Sequence, residues 1–146
     1  MTDLETIHLL VIDDEASIRR LIEKELASGR RIVRSAETIA AGLSLFRQEQ
    51  FDVVVLDMRL PDGNGMDVLV QLQEMAPEVQ VIIVTGHGDV DNAVQAMKLG
   101  AYDYFTKPFD LDRLELVVEK AYQRARLQRE NRLLRCAWPQ EPEPTE

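Results

Sequence analysis

Short apolar runs rich in β-branched residues alternate five times with segments whose apolar positions recur every three or four residues. The runs occupy residues 7–12, 31–35, 52–57, 80–85 and 103–106. Runs of this length predict buried strands. Spacings such as Ile18, Ile22 and Leu26 between the runs predict amphipathic helices. Five strand–helix units of this kind predict a parallel sheet covered by helices on both faces.

The last of the five helices is predicted to extend beyond the sheet. Its core positions end near Ala121, and the chain continues as ARLQRENRLLR, where Leu127, Asn131 and Leu134 share one face at coiled-coil spacing. We expect a helical linker over 125–136 that pairs as a short coiled coil in a homodimer. The alternative is a charged helix that frays. Residues 137–146, rich in proline and glutamate, are predicted to be disordered.

Composition narrows the class of protein. The 146 residues, 45% of them hydrophobic, suit a single globular domain. No apolar run approaches 18 residues and the N-terminal MTDLETIHLL lacks a basic stretch, so we expect a cytoplasmic chain without membrane contact. The net charge of −9 argues against direct binding of nucleic acid. The single cysteine cannot form an internal disulfide.

Polar residues stand where four of the apolar runs end. Asp13 and Asp14 follow the first run, Asp57 closes the third, Thr85 closes the fourth and Lys107 follows the fifth. Alone, the acidic pair would more often cap the next helix, and the threonine and lysine would be ordinary surface groups. Ligands of open α/β sheets bind at the carboxyl ends of the strands, so the full set predicts one acidic site with one fixed cation.

The segments VIDDE, LDMRLPDGNGMDVL, VTGHGD and GAYDYFTKPF, in this order, resemble the receiver domain of bacterial two-component response regulators over residues 6–124. The resemblance implies a flavodoxin-like, doubly wound α/β fold with a five-stranded parallel sheet in the order 2-1-3-4-5 and five helices. The motif variants are most similar to receivers of sigma-54-dependent transcription activators. No Walker A or helix-turn-helix sequence follows, so we expect the effector module to be absent from this chain.

Three crowded carboxylates repel one another and need a counter-ion. All candidate ligands are oxygens, which favours Mg²⁺ over zinc. The resemblance implies that Asp14 and Asp57 bind Mg²⁺ directly and Asp13 through water. It adds the backbone carbonyl of Arg59 as a further ligand.

The resemblance also implies the phosphoryl chemistry. Asp57 would be the phosphoacceptor, while Lys107 and the hydroxyl of Thr85 would bind oxygens of the transferred group. Thr85 would then shift and Tyr104 would turn inward, which changes the face formed by the fourth helix, fifth strand and fifth helix. The Lys107–Pro108 bond is expected to be cis.

Arg59 and His87 stand at positions that the family uses to tune the access of water to the site. Their identities do not predict a rate.

We therefore expect a phosphorylatable switch, not an enzyme with turnover. It would take a phosphoryl group from a sensor histidine kinase and regulate transcription through a rearranged dimer. One alternative is an interaction module that works without phosphorylation. Another is a phosphatase of the haloacid dehalogenase type, but its second acid normally lies two residues after the nucleophile, where Arg59 stands here.

Overall fold

A computed structural model describes residues 6–86 and 90–137 of the chain. Its strands are β1 (Ile7–Ile12), β2 (Arg31–Ala36), β3 (Val53–Asp57), β4 (Arg59–Leu60), β5 (Gly63–Asn64), β6 (Gln80–Thr85) and β7 (Asp103–Thr106). Its helices are α1 (Ala16–Leu26), α2 (Ile39–Gln48), α3 (Gly65–Met75), α4 (Val90–Lys98) and α5 (Leu111–Ala137).

Five of the strands form one parallel sheet in the order β2-β1-β3-β6-β7. When only the strands of this sheet are numbered in chain order, β6 and β7 become the fourth and fifth strands and the order is 2-1-3-4-5. The predicted flavodoxin-like topology with five helices is therefore confirmed. The remaining strands, β4 and β5, form a two-stranded antiparallel hairpin directly after β3. The proline and glycines of LPDGNG are typical of a turn, and no alternation of apolar residues predicts strands there.

The inner residues of β3 and β6 are all apolar, and helices cover both faces of these strands. Val54 and Leu56 of β3 belong to a core cluster that includes Leu69 of α3. Val53 and Val55 point to the opposite side, into the cluster that contains Leu114 of α5. Alternate side chains of one strand thus serve two cores, and the polar residue at the strand end is left at the sheet edge.

The extension of α5 lies against the end of the sheet opposite the predicted site. Ala125 is fully buried. An amino nitrogen (Nη2) of Arg129 lies 2.7 Å from Oδ1 of Asp52, whose side chain is 4% exposed, and Arg132 pairs with Glu78. The predicted linker over 125–136 is therefore the continuation of α5, held to the domain as far as Arg132 by carboxylates that precede β3 and β6.

The predicted disordered tail, apart from Ala137 at the end of α5, lies outside the described residues. Within 6–86 and 90–137, no helix combines the length and apolarity needed to cross a membrane.

Candidate functional site

The ends of three parallel strands bring one lysine between two aspartates. Asp13 follows β1, Asp57 ends β3 and Lys107 follows β7. The ammonium nitrogen Nζ of Lys107 lies 3.1 Å from Oδ2 of Asp13 and 3.3 Å from Oδ2 of Asp57. Residues far apart in sequence meet here because parallel strands end at the same edge of the sheet.

Asp14 completes an acidic cluster with Asp13 and Asp57. One carboxylate oxygen from each residue lies within 4.8 Å of the other two. Asp13 and Asp57 are buried, at 2% and 7% exposure, whereas Asp14 is exposed and leaves the cluster open on one side. A set of oxygen donors at this spacing fits a hard divalent cation such as Mg²⁺.

The electrostatics of the cluster show an excess of negative charge. Burial, and then repulsion by Asp13, raise the pKa of Asp57 to about 6, although Lys107 and the amide of Arg59 both lower it. Burial lowers the pKa of Lys107, but its hydrogen bond to Asp13 and the charges of Asp57, Asp13 and Glu15 outweigh burial and raise it. The lysine therefore stays charged, and one ammonium does not neutralise the aspartates around it.

Asp13 is held by groups at the start of α1. Its Oδ1 accepts a hydrogen bond from the backbone amide of Glu15 at 2.8 Å, and its carbonyl oxygen accepts one from Nη1 of Arg19 at 2.7 Å. The N-cap position of α1 is taken by Glu15, which makes no capping bond through its side chain. The acidic pair therefore does not serve as the helix cap, which was the alternative that the sequence left open.

Asp57 is held through its side chain and its backbone. Its Oδ1 accepts a hydrogen bond from the amide of Arg59 at 3.2 Å. A Cβ placed on Gly65 would lie 2.7 Å from the backbone oxygen of Asp57, so the start of α3 packs directly against the end of β3. The aspartate thus has little freedom to move away from Lys107.

Thr85 lies beside this cluster at the end of β6 and is 1% exposed. Its hydroxyl donates to the carbonyl oxygen of Phe105 at 3.4 Å, the long limit for such a bond, and its own carbonyl accepts from the amide of Lys107 at 2.9 Å. The peptide bond from Lys107 to Pro108 is cis. Tyr104 of β7 is 36% exposed, so its ring lies at the surface.

Arg59 begins β4 and is exposed at the edge of the site. His87 lies outside the described residues.

Two residues of the site, Glu15 and Arg19, are not predicted by any sequence motif. Oε1 of Glu15 lies 3.4 Å from Nζ of Lys107, which makes it the third acidic partner of that lysine. Arg19 binds the carbonyl of Asp13 and also lies 3.5 Å from Glu37. The available signal for Glu15 was its place directly after the acidic pair in VIDDE. The sequence contains no comparable signal for Arg19, because an arginine in a first helical turn is usually solvated.

Comparison with known proteins agrees with this architecture. The family model described as the response regulator receiver domain matches residues 9–119. The response regulator protein PilR of Pseudomonas aeruginosa is 42% identical over 112 residues, which cover 77% of this chain and 25% of PilR. The predicted similarity to receivers of sigma-54-dependent activators is confirmed. The chain spans about a quarter of the length of the curated relatives it matches.

Solved structures show the same fold. The crystal structure of a response regulator receiver domain protein from Clostridium thermocellum is 39% identical with a TM-score of 0.78, over 84% of this chain and 98% of that one. The solution structure of the beryllofluoride-activated NtrC4 receiver domain dimer is 36% identical with a TM-score of 0.76, over 81% and 98%. From its sequence, its sheet topology and the match over residues 9–119, this chain belongs to the receiver domain family of two-component response regulators.

Proposed function

We propose that this receiver accepts a phosphoryl group on Asp57 from a sensor histidine kinase in a Mg²⁺-dependent reaction. The observation that supports this most strongly is the Lys107 ammonium between the carboxylates of Asp13 and Asp57. A carboxylate at a strand end can act as a nucleophile, and phosphoryl transfer needs positive charge and accurate positioning from the protein. The site offers a carboxylate as nucleophile, an ammonium as positive charge and strand ends that position both.

Asp14, Asp57 and the backbone carbonyl of Arg59 would hold Mg²⁺, with Asp13 acting through water. The ion, when bound, supplies positive charge that offsets the oxygens of the aspartates and of the phosphoryl group. With a pKa of about 6, Asp57 is mostly ionised at neutral pH and available as the nucleophile.

In the proposed transfer, a carboxylate oxygen of Asp57 forms a bond to phosphorus while the bond from phosphorus to the kinase histidine nitrogen breaks. The electron pair of that bond stays on the nitrogen. Lys107, already within 3.3 Å of the carboxylate, would then bind an oxygen of the phosphoryl group. The hydroxyl of Thr85 would exchange its long bond to Phe105 for another phosphoryl oxygen. Hydrolysis of the acyl phosphate would reset the switch.

The proposed output is a change of the surface formed by α4, β7 and α5. A shift of Thr85 away from Phe105 and toward the phosphoryl group would leave space beside β7, into which the surface ring of Tyr104 would turn. Leu127 and Leu134 of α5 are 61% and 54% exposed, and with Asn131 they would form the contact to a second copy. The similar NtrC4 receiver is a dimer, which supports this arrangement.

Arg59 and His87 would tune the access of water to the acyl phosphate and so the lifetime of the switch. By similarity to the curated regulators, the proposed consequence is control of transcription.

Intact-mass measurement with acetyl phosphate, with and without Mg²⁺, tests the proposal. We expect one phosphoryl group to be added only with Mg²⁺, and no addition to the D57N variant. The control is D67N, which neutralises an exposed aspartate in the first turn of α3 and should be labelled like the wild type. Light scattering on the same samples reports whether labelling changes the size of the assembly.

Labelling of D57N at the wild-type level would contradict the assignment of the phosphoacceptor. If neither acetyl phosphate nor a panel of phosphorylated histidine kinases labels the wild type, the result favours an interaction module that works without phosphorylation. Steady release of phosphate from a small phosphomonoester by the purified protein would instead favour a phosphatase of the haloacid dehalogenase type.

A further inference from the structure

One side chain joins the β4–β5 hairpin to the start of α2. Asp62 lies in the turn of the hairpin, and its Oδ1 accepts a hydrogen bond from the backbone amide of Ile39 at 2.9 Å. Its Oδ2 accepts another from the amide of Ala40 at 3.1 Å. These are the first two amides of α2, which have no acceptor inside the helix. Both oxygens of the carboxylate are therefore committed to a helix far away in sequence.

The contact between the hairpin turn and the start of α2 is electrostatic as well as steric. The amides of Ile39 and Ala40 lower the pKa of Asp62, so the carboxylate is charged at neutral pH and lies at the positive end of the helix dipole. A Cβ placed on Gly63 would lie 2.8 Å from Cδ1 of Ile39, which shows that the turn packs directly on α2. The hairpin and the helix thus form one unit.

The base of the same hairpin lies at the active-site edge. Arg59 begins β4 and pairs across the hairpin with Asn64, and its amide donates to Oδ1 of Asp57. Each strand of the hairpin has only two residues, and an isolated ladder of that length is not stable by itself. The position of the Arg59 backbone therefore depends on the attachments of the hairpin. These are the backbone hydrogen bonds of the preceding Met58, the side chain of Leu60 in the core, and the contact of the turn with α2.

We infer that Asp62 is a positioning residue of the phosphoryl-transfer site. By fastening the turn to α2, it fixes the backbone of Arg59, whose amide orients Asp57 and whose carbonyl is the proposed Mg²⁺ ligand. The inference rests on the proposed function. Asp62 lies outside the acidic cluster but would set the affinity of that cluster for Mg²⁺.

The D62A variant releases both amides of α2 and tests the inference. We expect the Mg²⁺ concentration that gives half-maximal labelling by acetyl phosphate to rise about tenfold, the lower end of the effect of removing an outer-shell partner. The rate at saturating Mg²⁺ should change much less. Calorimetric titration of the unphosphorylated protein should give a similar increase in the Mg²⁺ dissociation constant, and hydrogen exchange of the Arg59 amide should become faster.

The D62N variant separates charge from geometry. It keeps one oxygen acceptor and loses the charge, so a tether predicts a value between those of the wild type and D62A. A purely electrostatic effect on the cation predicts that D62N and D62A behave alike.

The matched control is T38A, because the hydroxyl of Thr38 accepts a hydrogen bond from the amide of Ala41 at the same helix start. This variant weakens α2 but leaves the hairpin attached, so its Mg²⁺ dependence should equal that of the wild type. The inference is overturned if T38A shifts the Mg²⁺ dependence as much as D62A does, or if D62A stays within twofold of the wild type. If the wild type is not labelled at all, the proposed function is wrong, while the Mg²⁺ affinities and amide exchange still decide the role of Asp62.

Discussion

Replacing Asp57 by asparagine is expected to stabilise the metal-free domain at neutral and alkaline pH. Burial, followed by repulsion from Asp13, raises the pKa of Asp57 from 3.8 to about 6 in the folded state. A group whose pKa rises on folding favours the fold in its protonated form, so stability is lost as the pH rises from 3.8 through 6. At 1.36 kcal/mol per pH unit, the ionised carboxylate costs about 3 kcal/mol at pH 8 and about 1 kcal/mol at pH 4.5.

Urea denaturation of the wild type and D57N, followed by circular dichroism with EDTA present, measures this cost. The advantage of D57N should grow by about 2 kcal/mol between pH 4.5 and pH 8, which is roughly 1 M in the midpoint for a domain of this size. Mg²⁺ should narrow the gap at pH 8, because it binds only the folded wild-type site. A difference that is the same at both pH values, or that falls as the pH rises, would refute the electrostatic argument.

Three further substitutions test other contacts. R129A is expected to lower the free energy of unfolding by about 2 kcal/mol, measured by urea denaturation, because the buried carboxylate of Asp52 loses its charged partner. K107A is expected to raise the pKa of Asp57 further and to tighten Mg²⁺ binding, measured by calorimetry, while labelling by acetyl phosphate slows by about 100-fold. G65A is expected to cost about 1–3 kcal/mol in urea denaturation, and to slow labelling, because its Cβ would meet the backbone oxygen of Asp57 at 2.7 Å.

Each of these variants has a matched control. R126A removes an exposed pair with Glu130 on the same helix as Arg129 and should cost less than about 1 kcal/mol. K98A removes an exposed ammonium at the end of α4 and should leave Mg²⁺ binding unchanged. G29A adds a Cβ that meets no atom within 4 Å, so its stability should stay close to that of the wild type. A control that behaves like its test variant would show that the named contact is not the cause.

The sequence predicted the central strands well because strands buried on both faces consist mostly of apolar residues, and such runs are visible without any tertiary information. It did not predict the β4–β5 hairpin, since two-residue strands leave no periodicity and LPDGNG indicates only a turn. The extended α5 was predicted as a helix, but Arg129 and Arg132 gave no sign that they bind the domain. Their partners, Asp52 and Glu78, lie 77 and 54 residues away in the chain, and nothing in the sequence marks either acid as the buried partner of an arginine.

The sequence by itself determined where the strands end and which polar residue stands at each end, and therefore that an acidic cluster and a lysine would share one edge. Local patterns carry this information because strand length and side-chain alternation are local properties. Only the tertiary structure decided that Lys107 is shared by three acids, that Asp57 is buried enough for a pKa of about 6, and that Asp62 ties the hairpin to α2. Those facts depend on distances and burial between segments far apart in the chain, which appear only when the helices and the sheet have packed together.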